Sequence, residues 1–471
     1  MDENRTPTGV KGLDENLQGG FPKGSMILIT GNPGTGKTMF SAEFLYNGGN
    51  KYSENGLYVS FSEGRSTFMN NMSKFGNDLA ELEEQGKLEF LDLITVKEPS
   101  IDAVMEMITS LIHTVRAERL VIDSFTAMAN TISAVIDARL MLHLLGKIVR
   151  QAGCTTLLVT ETPTGLETVG MGIEEFIVDG TIILKKKTCD GHTIRYLEIA
   201  KMRGTLIDEP ELIFTLHEGF NVLTPLKITQ NTGHTRFTPT PNPPDCFSTG
   251  QGQLDEILGG FRRGDTILVE LGEDTAPFVP SLIFGALRAN FIANGMGVLF
   301  GSPGGMSVDR IISCGERYGI TEEEHERPMR ILVSGTEEAE APYILDVKPE
   351  DHQDAFRTWN GEKQRLMKTT GKPVLKIIYI DIIKEYLLDH ARKALEKEIA
   401  MTKNEDSLLL LFSRPGSGEL QQYASKMSDL HLRLFNERGV IIFHGIRPRT
   451  TLYALETKSG GSGNLNLTPL T

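Results

Sequence analysis

At 471 residues, with 39% hydrophobic and 23% charged side chains, the chain has an ordinary globular composition and enough length for two domains. A formal net charge of −14 argues against a main task of wrapping nucleic acid, which needs clustered lysine and arginine, although a local basic groove remains compatible with it. There is no bilayer-length apolar run, no apolar core after Met1-Asp2-Glu3 and no Cys-x-x-Cys among four scattered cysteines, so a cytoplasmic chain with free thiols and no membrane contact is expected.

The first stretch, to residue 25, carries turn signals in Thr8-Gly9-Val10-Lys11-Gly12-Leu13-Asp14 and Gly19-Gly20-Phe21-Pro22-Lys23-Gly24. Met26-Ile27-Leu28-Ile29 then reads as a buried strand, and Met39 to Tyr46 as an amphipathic helix. Between them lies Gly31-Asn32-Pro33-Gly34-Thr35-Gly36-Lys37-Thr38. Its glycines let successive backbone N–H groups turn inward on a phosphate chain, and the helix opened by Met39 sets its positive end against the same phosphates. Lys37 supplies a charge for the β- and γ-phosphates, and Thr38 a hydroxyl for Mg²⁺. The bland alternative is a glycine-rich turn that happens to hold a lysine. The complete motif in its strand–loop–helix context favours a nucleotide site.

Further strands are expected at 56–61, 88–93, 119–124 and 155–159, with a helix from about Ile101 to Val115. Extended runs near 181–187, 194–200 and 212–216 suggest an antiparallel finish. Strands alternating with helices predict an α/β fold with a mostly parallel, doubly wound sheet.

Residues 225–246 change character, with Pro239, Pro241, Pro243 and Pro244 marking a semi-extended linker between domains at 1–224 and 247–471. After it the opening returns. Thr249 to Asp255 repeats Thr8 to Asp14, Gly259-Gly260-Phe261 repeats Gly19-Gly20-Phe21, and the period is about 240 residues. The second copy has Leu271-Gly272-Glu273-Asp274-Thr275-Ala276-Pro277-Phe278 at the phosphate loop, where two acids repel phosphate and no lysine stands. It has Ser302-Pro303 opposite Ser62-Glu63. Ile378-Tyr379-Ile380-Asp381 is expected to preserve an acid-terminated strand, and 337–372 to be a polar insertion.

In the first repeat, Asp123 ends an apolar strand, where a carboxylate can hold Mg²⁺ through water or simply be solvated. Glu63, after another strand, is a candidate to orient the attacking water, and Glu161 a weaker candidate near the γ-phosphate. Lys201 and Arg203 follow the run Tyr196 to Ala200, spaced to point the same way. They read equally as a basic strand end or as cations serving a neighbour's phosphates.

With these residues in view, the chain resembles the KaiC family of RecA-like P-loop ATPases, in both halves but more loosely after 247. The resembling stretches are Thr8 to Asp14, Gly19-Gly20-Phe21, Gly31 to Thr38, Val59-Ser60-Phe61-Ser62-Glu63, Val121-Ile122-Asp123-Ser124, Gly172-Ile173-Glu174-Glu175-Phe176 and Lys201-Met202-Arg203-Gly204. The resemblance implies two tandem RecA-like domains, ATP with Mg²⁺ bound between subunits of a homo-oligomeric, commonly hexameric ring, and Lys201 and Arg203 acting in trans. The family usually has two adjacent glutamates where this chain has Ser62-Glu63, so slow hydrolysis resting on Glu63 is expected. Family members that autophosphorylate carry a Ser-Thr pair where this chain reads Ser425-Lys426, which argues against autokinase activity. The expected function is an ATP-dependent regulatory ring with an unidentified protein partner. A DNA-dependent recombinase- or helicase-like motor, an autokinase and a non-hydrolysing scaffold are its rivals.

Overall fold

The computed structural model describes residues 4–94, 101–130, 135–162, 177–226, 236–302, 308–316, 318–333, 341–347, 352–387, 390–457 and 465–471. The chain divides into two compact units, Met1–Thr224 with Pro469–Thr471, and Pro225–Thr468. In the first unit, two short strands, β1 (Arg5–Thr6) and β2 (Phe21–Pro22), pair with each other. They precede β3 (Met26–Gly31), all six residues of which are buried.

Helices cover both faces of the sheet, so β3 must be apolar on both. Ile27 and Ile29 pack with Phe40 and Phe44 of α1 (Lys37–Lys51). Met26 and Leu28 pack with Ile108 of α4 (Ile101–Thr114) and Leu142 of α6 (Val135–Ala152). The shorter helices are α2 (Arg65–Ser73), α3 (Leu79–Glu84) and α5 (Phe125–Asn130).

The remaining strands are β4 (Gly56–Ser60), β5 (Leu88–Asp92), β6 (Arg119–Asp123), β7 (Thr155–Val159), β8 (Gly180–Cys189), β9 (His192–Met202), β10 (Glu211–Thr215) and β11 (Asn221–Leu223). Their order is β11-β10-β9-β8-β3-β7-β6-β4-β5, parallel from β8 to β5 and antiparallel beyond β8. The doubly wound sheet with an antiparallel finish is therefore present as the sequence predicts.

A buried guanidinium ties α1 to β6. Arg119, fully buried at the start of β6, donates from Nη1 to Phe44 O at 2.7 Å and from Nε to Glu54 Oε2 at 2.5 Å. A Cβ at Gly48 on the same helix would lie 2.4 Å from Arg119 Cδ, so only glycine fits there.

The second unit repeats this plan. Its strands are β12 (Cys246–Phe247), β13 (Phe261–Arg262), β14 (Thr266–Leu271), β15 (Gly297–Gly301), β16 (Met329–Val333), β17 (Ile344–Asp346), β18 (Val374–Tyr379), β19 (Leu408–Ser413), β20 (Leu430–Glu437), β21 (Val440–Arg447), β22 (Tyr453–Thr457) and β23 (Leu465–Pro469). The order β17-β16-β15-β18-β19-β14-β20-β21-β22-β23 matches the first sheet strand for strand, with β14 in the place of β3 and β17 added at one edge. The repeated Thr-Gly…Asp opening has a structural role. Asp14 accepts from the N–H of Thr8 and Gly9, and Asp255 from the N–H of Thr249, closing the same loop twice.

Two expectations for this unit are corrected. The stretch 337–372 is not simply an insertion, since its helix His352–Thr370 lies before β18 as α4 lies before β6, leaving β17 as the added element. Its polar sequence disguised it because its buried lysine, Lys363, is neutralised by Glu398 and Glu405. Nor does β18 end on an acid. Val159 pairs with Asp123 and Phe412 with Tyr379, so Tyr379 occupies the register position of Asp123. Asp381 falls in the first turn of the helix Ile380–Leu387, where it accepts from Ser417 Oγ at 2.7 Å.

Candidate nucleotide site

The phosphate loop bends where β3 ends because Gly31 adopts φ 151° and Gly36 φ 103°. A Cβ at Gly31 would lie 2.2 Å from Leu184 O, so no side chain fits between the loop and β8. Thr35 Oγ1 donates to Asn32 O at 2.8 Å and Asn32 Nδ2 to Thr162 O at 3.2 Å, fixing the loop from inside and from the end of β7. Lys37, 8% exposed, donates from Nζ to Gly31 O at 2.9 Å and Asn32 O at 3.2 Å. Burial pushes its pKa down, while the charges of Glu161 and Asp123 oppose that shift and favour the ammonium form.

In the first turn of α1, Thr38 Oγ1 donates to Asp123 Oδ2 at 2.9 Å, and Tyr58 OH donates to the same oxygen at 2.9 Å. Burial raises the Asp123 pKa against the pull of these two hydrogen bonds and of Lys37. A hydroxyl and a carboxylate beside a phosphate cradle suit Mg²⁺, which takes few protein ligands and fills its octahedron with phosphate and water. The chain's residues therefore fit Mg–ATP, with Thr38 and Asp123 to hold the metal and 31–38 the phosphates.

Glu63 lies three residues beyond the end of β4. Ser60 Oγ donates to Glu63 O at 2.6 Å and accepts from Glu63 N at 3.1 Å, closing a tight turn. Asn71 Nδ2 on α2 then donates to Glu63 Oε1 at 2.8 Å and aims the carboxylate. Ser62 is exposed. Glu161 is exposed beyond β7, with its N–H bonded to Thr126 Oγ1 at 3.0 Å, and its charge acts on both Lys37 and Asp123.

Lys201 and Arg203 lie elsewhere. Lys201 Nζ donates to Val178 O at 2.8 Å, Arg203 N to Asp179 O at 2.9 Å, and Arg203 Nη1 sits 3.6 Å from Asp179 Oδ1. Both reach the 178–179 segment, although Arg203 lies in the turn after Met202 rather than on the strand. Asp179 also accepts from Met26 N, at the start of β3. The pair is thus separated from the phosphate loop by the length of β3, about 16 Å at 3.3 Å per residue. The family stretch Gly172 to Phe176 lies outside the described residues.

Sequence reasoning missed Tyr58, Asn71 and Lys186. Lys186 Nζ donates to Pro33 O at 3.2 Å, placing another cation at the phosphate loop. The lysine run 185–187 on β8 was its only signal.

In the second unit, aligned without a gap from β3 and β14, Pro277 stands for Lys37, Phe278 for Thr38 and Tyr379 for Asp123. Phe278 packs on the core, and the Tyr379 ring lies 5.0 Å from that of Phe412. Glu273 and Asp274 are exposed on the loop, and Pro303 lies outside the described residues. Ser425, on the helix Gly418–Met427, has its Oγ 3.1 Å from His431 Nδ1.

Comparison with known proteins gives three findings. Residues 6–227 match the family model described as "ATPase: KaiC". The circadian clock oscillator protein KaiC of Thermostichus vulcanus is 33% identical over 278 residues, covering 57% of this chain and 52% of that protein. The chain thus spans about half of that relative's length. The protein of the same description from Prochlorococcus marinus (strain MIT 9313) is 28% identical over 415 residues, covering 85% and 79%. A solved KaiC-like protein from Pyrococcus horikoshii OT3 is 35% identical, covering 47% of this chain and 99% of that one, with a TM-score of 0.43.

Proposed function

With residues 6–227 forming an ATPase domain of the KaiC family, we propose that the chain is an ATP-driven regulatory switch, in which the first domain binds and slowly hydrolyses Mg–ATP between subunits of a ring. The observation that carries this reading is the Thr38–Asp123 contact beside a complete phosphate loop, with Lys201 and Arg203 at the far end of the same sheet. Cations about 16 Å from their own phosphate loop suit a neighbour's site better than their own.

In this reading, the N–H groups of 31–38 and the Lys37 ammonium bind the triphosphate. Thr38 and Asp123 would hold Mg²⁺, which would offset the charge of the phosphates. Glu63, aimed by Asn71, orients a water for in-line attack on the γ-phosphorus. The bond to the β-phosphate oxygen breaks, releasing ADP and phosphate. Lys201 and Arg203 of the neighbouring subunit offset the charge on the transferring group. The second domain, with Pro277, Phe278 and Tyr379 at the key positions, serves the assembly in the cytoplasm and the docking of a regulatory protein.

The test is the oligomeric state by native mass measurement, with Mg–ATP and without it. A hexamer that forms or tightens with Mg–ATP supports the reading, and a monomer under both conditions overturns it. Ser62 favours a second reading, in which ATP cements the ring without turning over; a hexamer that releases no phosphate would select it.

A further inference from the structure

The second unit has a half-open apolar pocket of about 90 Å³ at the carboxyl ends of β15, β16 and β18. Val333 and Ile378 form its floor, Ala355 and Trp359 of the helix His352–Thr370 one wall, and Ile383 another. Leu395, from the helix Ala391–Asn404, lines it as well. This is where doubly wound sheets receive ligands, beyond the carboxyl ends of their strands. In the first unit, Phe125 and Met128 of α5, which follows β6 directly, are packed into the core.

Chemistry narrows what fits. The walls are almost wholly apolar, so ordered water would lack the hydrogen-bond partners it needs. Among the described residues, the ionisable group lining the pocket is Glu398, which is already neutralised. Lys376 Nζ lies 2.7 Å from Glu398 Oε1 and Lys363 Nζ 3.4 Å from Oε2, with Glu405 completing a balanced quartet of charges. Among the described residues, no net charge remains there to recognise a phosphate, a carboxylate or a metal ion. An apolar cavity of about 150 Å³ holds benzene, so this one suits a slightly smaller molecule or the alkyl end of one.

We propose that the second unit, without a working phosphate loop, binds a small neutral apolar molecule in this cavity. The inference does not depend on nucleotide chemistry in the first unit.

The chain's single tryptophan, Trp359, forms part of the wall and reports directly on occupancy. Chloroform, a neutral apolar quencher of indole fluorescence, is titrated into the full chain, with iodide as the charged control. Saturable quenching by chloroform is expected, against linear, weaker quenching by iodide. Ala355→Leu and Ala394→Leu, which fill the cavity from different helices, should weaken the chloroform site at least tenfold. Linear chloroform quenching in the unmodified chain overturns the proposal, whatever the variants do. So does saturable quenching that persists undiminished in either variant that folds.

Discussion

Arg203 Nη1 lies 3.6 Å from Asp179 Oδ1, at the end of β3 opposite the phosphate loop. If Arg203 serves a neighbouring subunit, Arg203→Ala should lose about 10³–10⁵-fold in turnover, the scale of an arginine finger supplied in trans. Mixing Arg203→Ala with Lys37→Ala subunits should then restore part of the activity, because some interfaces pair an intact loop with an intact arginine. A mixture that stays inactive despite demonstrated subunit exchange would confine Arg203 to its own chain.

Glu63 depends on Asn71 for its aim. Glu63→Gln should keep ATP binding and lose about 10²–10⁴-fold in turnover, the usual contribution of a positioned base. Asn71→Ala removes one hydrogen bond to a charged group, a change of about 1.5–3 kcal/mol, and should lower turnover less while leaving ATP affinity unchanged. Phosphate-release assays beside calorimetric binding separate the two effects. Full turnover in Glu63→Gln would move the base to Glu161.

Nucleotide content should be one per chain. Lys37→Ala should weaken ATP binding about 10–100-fold, as expected for a lost charge-assisted contact. The second unit has nothing comparable to lose, with Pro277 and Phe278 where Lys37 and Thr38 stand. Extraction and chromatography of bound nucleotide count the sites, and a ratio near two would show a second route to binding.

Burial pushes the Asp265 carboxyl up to about 6, and the nearby Asp429 charge adds to the shift. A folded-state pKa above the unfolded value of about 3.9 gives stability that is fully present below pH 4 and lost as pH rises through 6. Its contribution is on the order of 3 kcal/mol. Asp265→Asn, which can still accept from Arg262 N, should flatten the stability difference between pH 4.5 and pH 7. Urea unfolding of both proteins at the two pH values measures it, and an unchanged pH dependence would exclude Asp265.

The phosphate loop was legible because its chemistry is contiguous in sequence, from Gly31 to Thr38. The apolar strands were legible because a sheet covered on both faces has almost unbroken hydrophobic runs. Tyr58, Asn71 and Lys186 were hidden for the opposite reason. Tyr58 and Lys186 reach the site through pairing between distant segments and Asn71 through the turn into α2, and one sequence alone does not encode which of many tyrosines faces a given aspartate. The exchange of Asp123 for Tyr379 was obscured by a nearby acid, Asp381, and only the strand register separates them.

The Arg119 clamp fixes more than a helix. α1 and β6 are joined at two points, Thr38 with Asp123 at the end of β6 and Phe44 O, midway along α1, with Arg119 at the start of β6. Two elements pinned at two separate points resist sliding past one another, so the Thr38 hydroxyl and the Asp123 carboxylate are held together before any cation arrives. In the proposed switch, a change of nucleotide would be transmitted outside this frame, through the Ser60–Glu63 turn.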